Sequence, residues 1–330
     1  MRTIETLSYS AMSLWESRPE EFFLTRLSKN RPPRTLQERP AAAGSAFDAY
    51  VKSRLHRELF GNLGDSKYGF EALFEAQVEP QNRDWARVEG SYIFDCYETS
   101  GFYTSILKEL NASKEPPRFE FTVQADLNGV PFLGKPDGRW VTPMDIHVVH
   151  DWKVNGFCSK HAVSPCKSYM LCRDGFVSEK QSKSNGTEHK EFLGVALRDI
   201  TVNASYMEVS NSDWADQLSL YGWALGEKIG DEDVVLSVHQ IVGKPMPEGR
   251  PQLRVAQYRA RVKRDYQLKL AERIKKCWDA ITSGHIFPDM SRADSEARCE
   301  LLEMSATGLQ SDGSDRDEFF NEMTREKYRG

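Results

Sequence analysis

The chain has 330 residues, of which 39% are hydrophobic and 28% charged, a balance typical of globular proteins and not of disordered or fibrous ones. It contains no run of about 18 apolar residues and no apolar signal core at the N-terminus, so we expect neither a membrane span nor secretion, but a cytoplasmic protein. The formal net charge of −5 argues against a protein that binds nucleic acid through overall positive charge.

The charge is unevenly distributed. Residues 289–330 hold 11 acidic and 6 basic residues, an excess equal to the net charge of the chain, and we expect a loosely ordered acidic tail there. Basic residues concentrate at 26–39 and 153–190, with five and seven bases. Either stretch is interpreted equally well as a phosphate-binding surface or as a solvated face.

Helices are predicted through the N-terminal third. The apolar positions of residues 8–27 indicate a helix that is expected to break at Pro19. The Pro- and Arg-rich residues 28–43 are typical of a loop. Two further helices are predicted over 44–59 and 83–110.

The period then changes to that of strands. Residues 118–125 and 130–137 alternate, and the Asn128-Gly129 dipeptide between them is a strong hairpin signal. The nearly continuous apolar run 146–152 is typical of a central strand. Residues 155–206 are mostly polar and irregular, which indicates an insertion or lid, with one short strand expected over 195–200.

The last part of the pattern combines helices and strands. Residues 213–227 carry apolar side chains at helical spacing. Two strands and an amphipathic helix follow, at 234–242, 252–262 and 262–282. The prediction is one α/β domain over residues 1–288, with a mixed sheet flanked by helices, an N-terminal helical part, the inserted lid and the acidic tail.

Two acidic residues are placed for metal chemistry. Asp137 ends one predicted strand and Asp151 lies in the next, so both carboxylates are expected at one end of the sheet. Alternation puts Asp151 and Lys153 on one face, with Trp152 pointing away. Two carboxylates and the Trp152 carbonyl suit a hard divalent cation, and Lys153 would then orient a water molecule or help to deprotonate it.

A structural explanation competes with this interpretation. An Asp-x-Lys pair is common on surfaces, and Pro136-Asp137-Gly138 is an ordinary turn sequence. Gln217 and Tyr221 favour the functional explanation, because they lie four residues apart on one helix face, and an inward-facing glutamine needs a polar partner.

Taken in order, these motifs resemble the PD-(D/E)xK nuclease superfamily. The likeness is to its RecB-type branch, in which a Gln-x-x-x-Tyr helix follows the Asp-x-Lys strand. The segment from Leu7 to Leu24, with a serine cap, a helix and an aromatic pair, resembles the start of that family. The resemblance spans about residues 7–245, without the insertion, and implies a restriction-endonuclease-like core.

The resemblance also implies roles for individual residues. Asp137 and Asp151 match the metal carboxylates and Lys153 the catalytic lysine. Gln217 and Tyr221 match the helix motif that supports the site and contacts DNA. Asp48 stands where a metal-binding histidine is frequent, four residues after Gly44.

Three further expectations concern metal and substrate contacts. Glu120 on the first strand is an additional candidate carboxylate, or a strand residue that faces solvent. Lys160 and Lys167 in the basic insertion are candidate DNA contacts. Some relatives carry an iron–sulfur cluster, but Arg18-Pro19 replaces the expected Cys-Pro and no cysteine triplet follows near the C-terminus, so no cluster is expected.

The resulting expectation is a Mg²⁺- or Mn²⁺-dependent DNA nuclease, with an exonuclease of recombination, repair or phage replication favoured. DNA is the expected partner. No ATP-binding motif is present, so ATP-driven action would need a second partner, such as a helicase or recombination protein. Two alternatives stay open: a non-cleaving DNA-binding or docking module on the same fold, and an unrelated α/β enzyme with coincidental motifs. Separation of Asp137, Asp151 and Lys153 by more than about 10 Å would rule out a shared metal site.

Overall fold

A computed structural model describes most of the chain. The described residues are 1–33, 35–61, 67–119, 121–156, 164–165, 169–173, 175–180, 195–197, 200–202, 207–244 and 246–311. The chain divides into two compact units, each built from separate segments. The first comprises Met1–Thr35, Gln124–Gly134 and Leu268–Gly330, and the second comprises Leu36–Val123 and Lys135–Gln267. The prediction from sequence, one domain over residues 1–288 followed by a tail, stays a prediction.

The described residues contain helices and strands in a mixed order. The helices are α1 (Tyr9–Ser17), α2 (Pro19–Phe22), α3 (Arg39–Phe60), α4 (Phe70–Gln77), α5 (Arg83–Thr99), α6 (Phe102–Asn111), α7 (Met207–Ser210), α8 (Ser212–Ala224), α9 (Arg264–Ser283) and α10 (Arg292–Ser311). The strands are β1 (Arg118–Phe119), β2 (Val123–Asp126), β3 (Pro131–Gly134), β4 (Gly138–Val141), β5 (His147–Asn155), β6 (Tyr169–Arg173), β7 (Phe176–Lys180), β8 (Val195–Leu197), β9 (Ile200–Val202), β10 (Val234–Lys244) and β11 (Gln252–Ala260). None of the described helices is long and apolar enough to cross a membrane.

A large mixed sheet forms the centre of the second unit. Its strand order is β1-β4-β5-β10-β11-β6-β7, with β5 and β10 parallel and the other pairs antiparallel. The two parallel strands are buried over most of their length, as expected for strands covered on both faces. The second unit is therefore α/β, with a central mixed sheet and helices beside it.

Helices cover both faces of β5. The side chains of Phe47 and Val51 on α3 pack in one core with Val148 and Trp152, which alternation places on the same face of β5. On the other face, a Cβ added to Gly222 of α8 would lie 3.9 Å from the side chain of Val149. Residues of β5 can therefore face either α3 or α8.

The contact between α3 and α5 requires a glycine. A Cβ added to Gly90 would lie 2.6 Å from the Cβ of Ala46, which is too close for two carbon atoms that are not bonded. The small side chains of Ala46 and Gly90 therefore let the two helices approach closely. This contact holds α3, which carries Asp48 and Lys52, against the rest of the second unit.

The first unit gathers both ends of the described chain. The Ser8 hydroxyl caps α1 by accepting from the Ala11 amide at 3.3 Å, and the Trp15 indole donates to the Ile286 carbonyl at 2.9 Å. Asn128 and Gly129 have φ of 58° and 84°, which fits the predicted tight hairpin turn between β2 and β3.

The C-terminal segment forms a helix over much of the predicted loose tail. The Asp294 amide donates to the Ser291 hydroxyl at 3.2 Å, which caps the start of α10. The Glu303 carboxylate accepts from the Lys29 amide at 3.0 Å. Arg292–Ser311 is therefore helical where the acidic composition indicated a loosely ordered tail, and capping and contacts within the unit favour the helix. Residues 312–330 lie outside the described residues.

Three other predictions differ from the structure. The region predicted as three strands holds the five strands β1–β5. The predicted helix over 83–110 is interrupted at Gly101, whose φ of 86° ends the helical path. Part of the insertion is regular, because β6 and β7 continue the sheet beyond β11.

The predicted loop over 28–43 is wrong for residues 39–43, which belong to α3, and the other predicted elements match more closely. The break at Pro19 and the helices near 44–59, 213–227 and 262–282 are confirmed as α1/α2, α3, α8 and α9. The strands near 234–242 and 252–262 are confirmed as β10 and β11.

Candidate active site

Asp151 and Lys153 form an ion pair on one face of β5. The Lys153 ammonium lies 2.5 Å from Asp151 Oδ2, and the two side chains are 24% and 6% exposed. Their spacing of two residues puts both on the face that α8 covers. The predicted common orientation is therefore present, at a strand inside the sheet and not on a solvated loop.

Asp137 lies where strand pairing on one side of β5 ends. The ladder between β4 and β5 stops at Gly138 opposite His150. Two residues further along β5, the Trp152 amide donates to Asp137 Oδ2 at 3.0 Å. The carboxylate thus accepts the hydrogen bond that the carbonyl of a neighbouring strand would otherwise accept. This contact fixes Asp137 beside Asp151.

A chain of hydrogen bonds connects Lys153 to α8. The Lys153 ammonium donates to Gln217 Oε1 at 2.9 Å, and Gln217 Nε2 donates to the Tyr221 hydroxyl at 3.0 Å. Tyr221 is only 8% exposed. The spacing of four residues on α8 brings the amide and the phenol together, so Gln217 has the polar partners that an inward-facing glutamine needs.

Lys52 is part of this cluster, although no sequence motif pointed to it. Its ammonium lies 2.7 Å from Asp48 Oδ2 and 3.0 Å from Asp137 Oδ1, and the side chain is 1% exposed. Asp48 and Lys52 are four residues apart on α3, a spacing that could have indicated an ion pair. Their apolar surroundings in the sequence gave no sign that the lysine is buried against a second carboxylate.

The two central carboxylates have opposite pKa shifts. Burial raises the pKa of Asp151 to about 8, assisted by the negative charge of Asp137 and a hydrogen bond between the two carboxyl groups, and Lys153 only partly offsets this. Burial also acts to raise the pKa of Asp137, but the charge of Lys52 and the Trp152 amide outweigh it and lower the pKa. Asp137, whose Oδ2 lies 3.0 Å from the amide of the residue after Asp151, is therefore close enough for the two carboxyl groups to affect each other's pKa, well inside the 10 Å limit for a shared metal site.

Lys153 remains a cation in this environment. Burial acts to lower its pKa, but the charge of Asp151 and the hydrogen bond to it outweigh burial, so the pKa is raised above the ordinary value. A protonated amine has no lone pair with which to accept a proton. Lys153 therefore suits charge stabilisation and orientation, and not the proton-abstracting part of the role considered from sequence.

A second hydrogen-bond network holds Trp152 from the opposite face of β5. The Trp152 indole donates to the Tyr97 hydroxyl at 3.2 Å, and that hydroxyl lies 2.6 Å from His239 Nδ1. When the Gln257 amide is rotated by 180° to the orientation that satisfies its neighbours, its oxygen accepts from His239 Nε2 at 3.0 Å and from Arg259 at 2.9 Å. The network fixes the residue between Asp151 and Lys153, and thus the backbone on which both stand.

The donor set suits a small hard cation. Asp151 Oδ2 is buried and makes no hydrogen bond of good geometry within the described residues, although Lys153 is close to it. Mg²⁺ is commonly held by only one or two carboxylates together with water and substrate phosphate, and Asp137 beside Asp151 supplies two. Within the described part of the chain, no three His, Cys, Asp or Glu side chains are arranged as a metal-binding group.

The remaining predicted site residues are not gathered in this way. Asp48 reaches the cluster through Lys52, and the Trp152 carbonyl stays a predicted ligand. Glu120, Lys160 and Lys167 lie outside the described residues.

His56 is expected to make the protein sensitive to acid. Its ring is 8% exposed, stacks on Tyr68 at 3.9 Å, and has no hydrogen-bond partner among the described residues. Burial, together with the charges of Lys52 and Lys67, lowers its pKa from 6.5 to about 4. The unfolded chain therefore binds the proton more readily, and His56 reduces the free energy of unfolding progressively as the pH falls from about 6.5 to about 4.

The expected loss at pH 4 is about 2–3 kcal/mol relative to pH 7. Urea unfolding at pH 7, 5.5 and 4 measures it, with His56→Phe as the variant and His285→Phe, at a partly exposed position beside the Met290 carbonyl, as the control. His56→Phe should flatten the pH dependence. An equal dependence in the His56→Phe variant and the wild type would contradict this assignment.

No protein-family model matches the chain, and no curated protein matches it.

Proposed function

We propose that the protein is a metal-dependent nuclease with a restriction-endonuclease-like core, hydrolysing phosphodiester bonds of DNA. One observation carries the proposal: Asp137, Asp151 and Lys153 meet at the end of a strand ladder, with Lys153 bound to Gln217 on α8. This is the spatial arrangement that the motif order predicts. The meeting of four motif positions in one hydrogen-bonded cluster supports the proposal over a chance similarity of short motifs.

Asp137 and Asp151 would hold one Mg²⁺ or Mn²⁺ ion, with the Trp152 carbonyl as a further ligand. Such an ion lowers the pKa of a bound water and neutralises charge on the scissile phosphate. Two neighbouring carboxylates disfavour each other's ionised form, as the raised pKa of Asp151 shows. A bound metal ion would offset this repulsion.

Lys153 acts in this proposal as a fixed positive charge. Asp151 and Gln217 hold its ammonium from two sides, at 2.5 and 2.9 Å, so little freedom is lost when it meets the charge that develops on the phosphate. Gln217 is in turn held by Tyr221. Gln217 and Tyr221 are therefore positioning residues, with DNA contact as their further predicted role.

Three parts of the proposal rest on the resemblance to RecB-type nucleases. They are DNA as the substrate, the preference for free ends, and a helicase or recombination protein as the partner. The charged lysines that would grip the strand, Lys160 and Lys167, belong to the basic insertion. A binding module without cleavage is the second candidate, and the complete Asp137, Asp151 and Lys153 set favours cleavage over it.

The test is incubation of the purified chain with linear, nicked, covalently closed circular and single-stranded DNA, and with RNA, with Mn²⁺ or EDTA. We expect Mn²⁺-dependent cleavage of linear DNA and little cleavage of closed circles. Lys153→Ala should reduce the rate by about a hundred-fold or more. Lys244→Ala, at an exposed position at the end of β10, is the matched control and should retain the full rate.

The outcomes separate the candidates. Cleavage by Lys153→Ala at the wild-type rate would contradict the proposed role of Lys153. Mn²⁺-dependent DNA binding without cleavage would favour the binding module. Cleavage of closed circles as fast as linear DNA would identify an endonuclease.

A further inference from the structure

The buried Lys52 ammonium lies between two carboxylates of the candidate metal centre. It contacts Asp48 at 2.7 Å on its own helix and Asp137 at 3.0 Å on the segment before β4. We propose that Lys52 is a built-in cation that fills one cation position of this acidic cluster, so that the centre binds one divalent ion and Asp48 serves Lys52 instead of the metal. The inference rests on the proposed function and specifies the metal content of the same site.

The burial of Lys52 indicates that its ammonium is held in one place by its carboxylate partners. A lysine side chain is almost never fully buried unless its charge is paired, because leaving water costs several kcal/mol. Here the side chain is 1% exposed, and the residues that pair with it come from two separate elements. A lysine that served only to stabilise α3 would pair with Asp48 on the helix surface and would not extend to Asp137.

The geometry resembles that of a bridging ion. Asp137 presents one oxygen, Oδ1, to the Lys52 ammonium and the other, Oδ2, to the Trp152 amide. Asp48 presents Oδ2 to the same ammonium. An ammonium group between two carboxylate oxygens at 2.7 and 3.0 Å occupies the place in which a second metal ion would bridge them.

The charges of the cluster favour one divalent ion over two. The three carboxylates of Asp48, Asp137 and Asp151 carry at most three negative charges, and Lys52 and Lys153 carry two positive ones. The cluster therefore has a net charge of about −1 when all three carboxylates are ionised. One divalent ion reverses this charge, whereas a second would add two more positive charges beside two ammonium groups, which Coulomb repulsion opposes.

The experiment counts the bound Mn²⁺ in the absence of DNA. The full chain is titrated with Mn²⁺ alone, and free Mn²⁺ is measured by electron paramagnetic resonance. We expect one ion per chain in the wild type, two in Lys52→Met, and one again in Lys52→Arg, which keeps the positive charge. Lys244→Met is the control for loss of a lysine and should bind one ion. Circular dichroism establishes that each variant is folded.

Asp48→Asn keeps the test decisive if Lys52→Met does not fold. If Asp48 serves Lys52, this variant should still bind one Mn²⁺ with an affinity within about three-fold of the wild type; loss of binding would make Asp48 a metal ligand and overturn the inference. Two ions in the wild type, or one ion in folded Lys52→Met, would overturn it and leave the proposed nuclease function standing. Absence of Mn²⁺ binding in the wild type would overturn both.

Discussion

Asp151→Asn is expected to abolish cleavage and, at the same time, to make the metal-free protein more stable. Asp151 would contribute an anionic ligand to the metal, and an amide oxygen is a much poorer substitute. A loss of about 4 kcal/mol of transition-state stabilisation corresponds to a decrease of about a thousand-fold in rate. Such a combination of effects is characteristic of a residue kept for function at a cost in stability.

The gain in stability follows from the raised pKa of Asp151. Burial and the neighbouring Asp137 raise that pKa from 3.8 to about 8 in the folded chain. A carboxyl group whose folded pKa is raised binds its proton more tightly in the folded state, so it destabilises the fold as the pH rises from about 4 to about 8. Asparagine carries no charge at any of these pH values, and Lys153, which is 24% exposed, keeps its hydrogen bond to Gln217 when its carboxylate partner is lost. The expected gain is on the order of 2 kcal/mol at pH 8.5.

Urea unfolding in EDTA at pH 5 and pH 8.5 measures the gain in stability, and the DNA cleavage assay measures the loss of activity. Asp233→Asn is the matched control, because Asp233 is an exposed aspartate directly before β10. The advantage of Asp151→Asn over the wild type should be larger at pH 8.5 than at pH 5. An Asp151→Asn variant that is less stable than the wild type at pH 8.5 would contradict the assigned electrostatics.

The sequence indicated the central strands and the motif residues because their signals are local. Alternation along β5 determines which way Asp151 and Lys153 point, and helical spacing determines that Gln217 and Tyr221 share a face. Both rules need only neighbouring residues. The meeting of Asp137 with Asp151 was predicted from strand order, and the structure places the two together, although Asp137 precedes β4 instead of ending the strand before it.

Features that depend on distant contacts were missed. Lys52 looks like a surface helix residue until the Asp137 segment is brought against α3. The start of α10 carries a cap, but the acidic residues after Ser291 are also typical of a disordered tail, and the contact with Lys29 is 274 residues away in the chain. Strands β6 and β7 are only five residues long and lie in a mostly polar stretch of sequence. They become recognisable only by pairing, β6 with β11 and β7 with β6.

Asp137→Asn is expected to abolish cleavage as well, but with the opposite effect on stability. The Asp137 carboxylate pairs with Lys52, whose side chain is 1% exposed, and with the Trp152 amide. An asparagine oxygen can still accept from the amide, but it removes one of the two negative charges beside a buried ammonium. Leaving a buried charge incompletely paired costs about 3–5 kcal/mol.

The pKa of Asp137 predicts how this loss depends on pH. Lys52 and the Trp152 amide lower that pKa in the folded chain, so the ionised carboxylate stabilises the fold at neutral pH, and this stabilisation disappears as the pH falls through the lowered folded pKa. Urea unfolding of Asp137→Asn in EDTA should therefore show a large deficit at pH 7. Asp137→Asn/Lys52→Met, which removes both charges, should recover part of the deficit. If the loss of unfolding free energy in the double variant equals the sum of the losses in the two single variants, Asp137 and Lys52 are not coupled, because the effects of independent residues add.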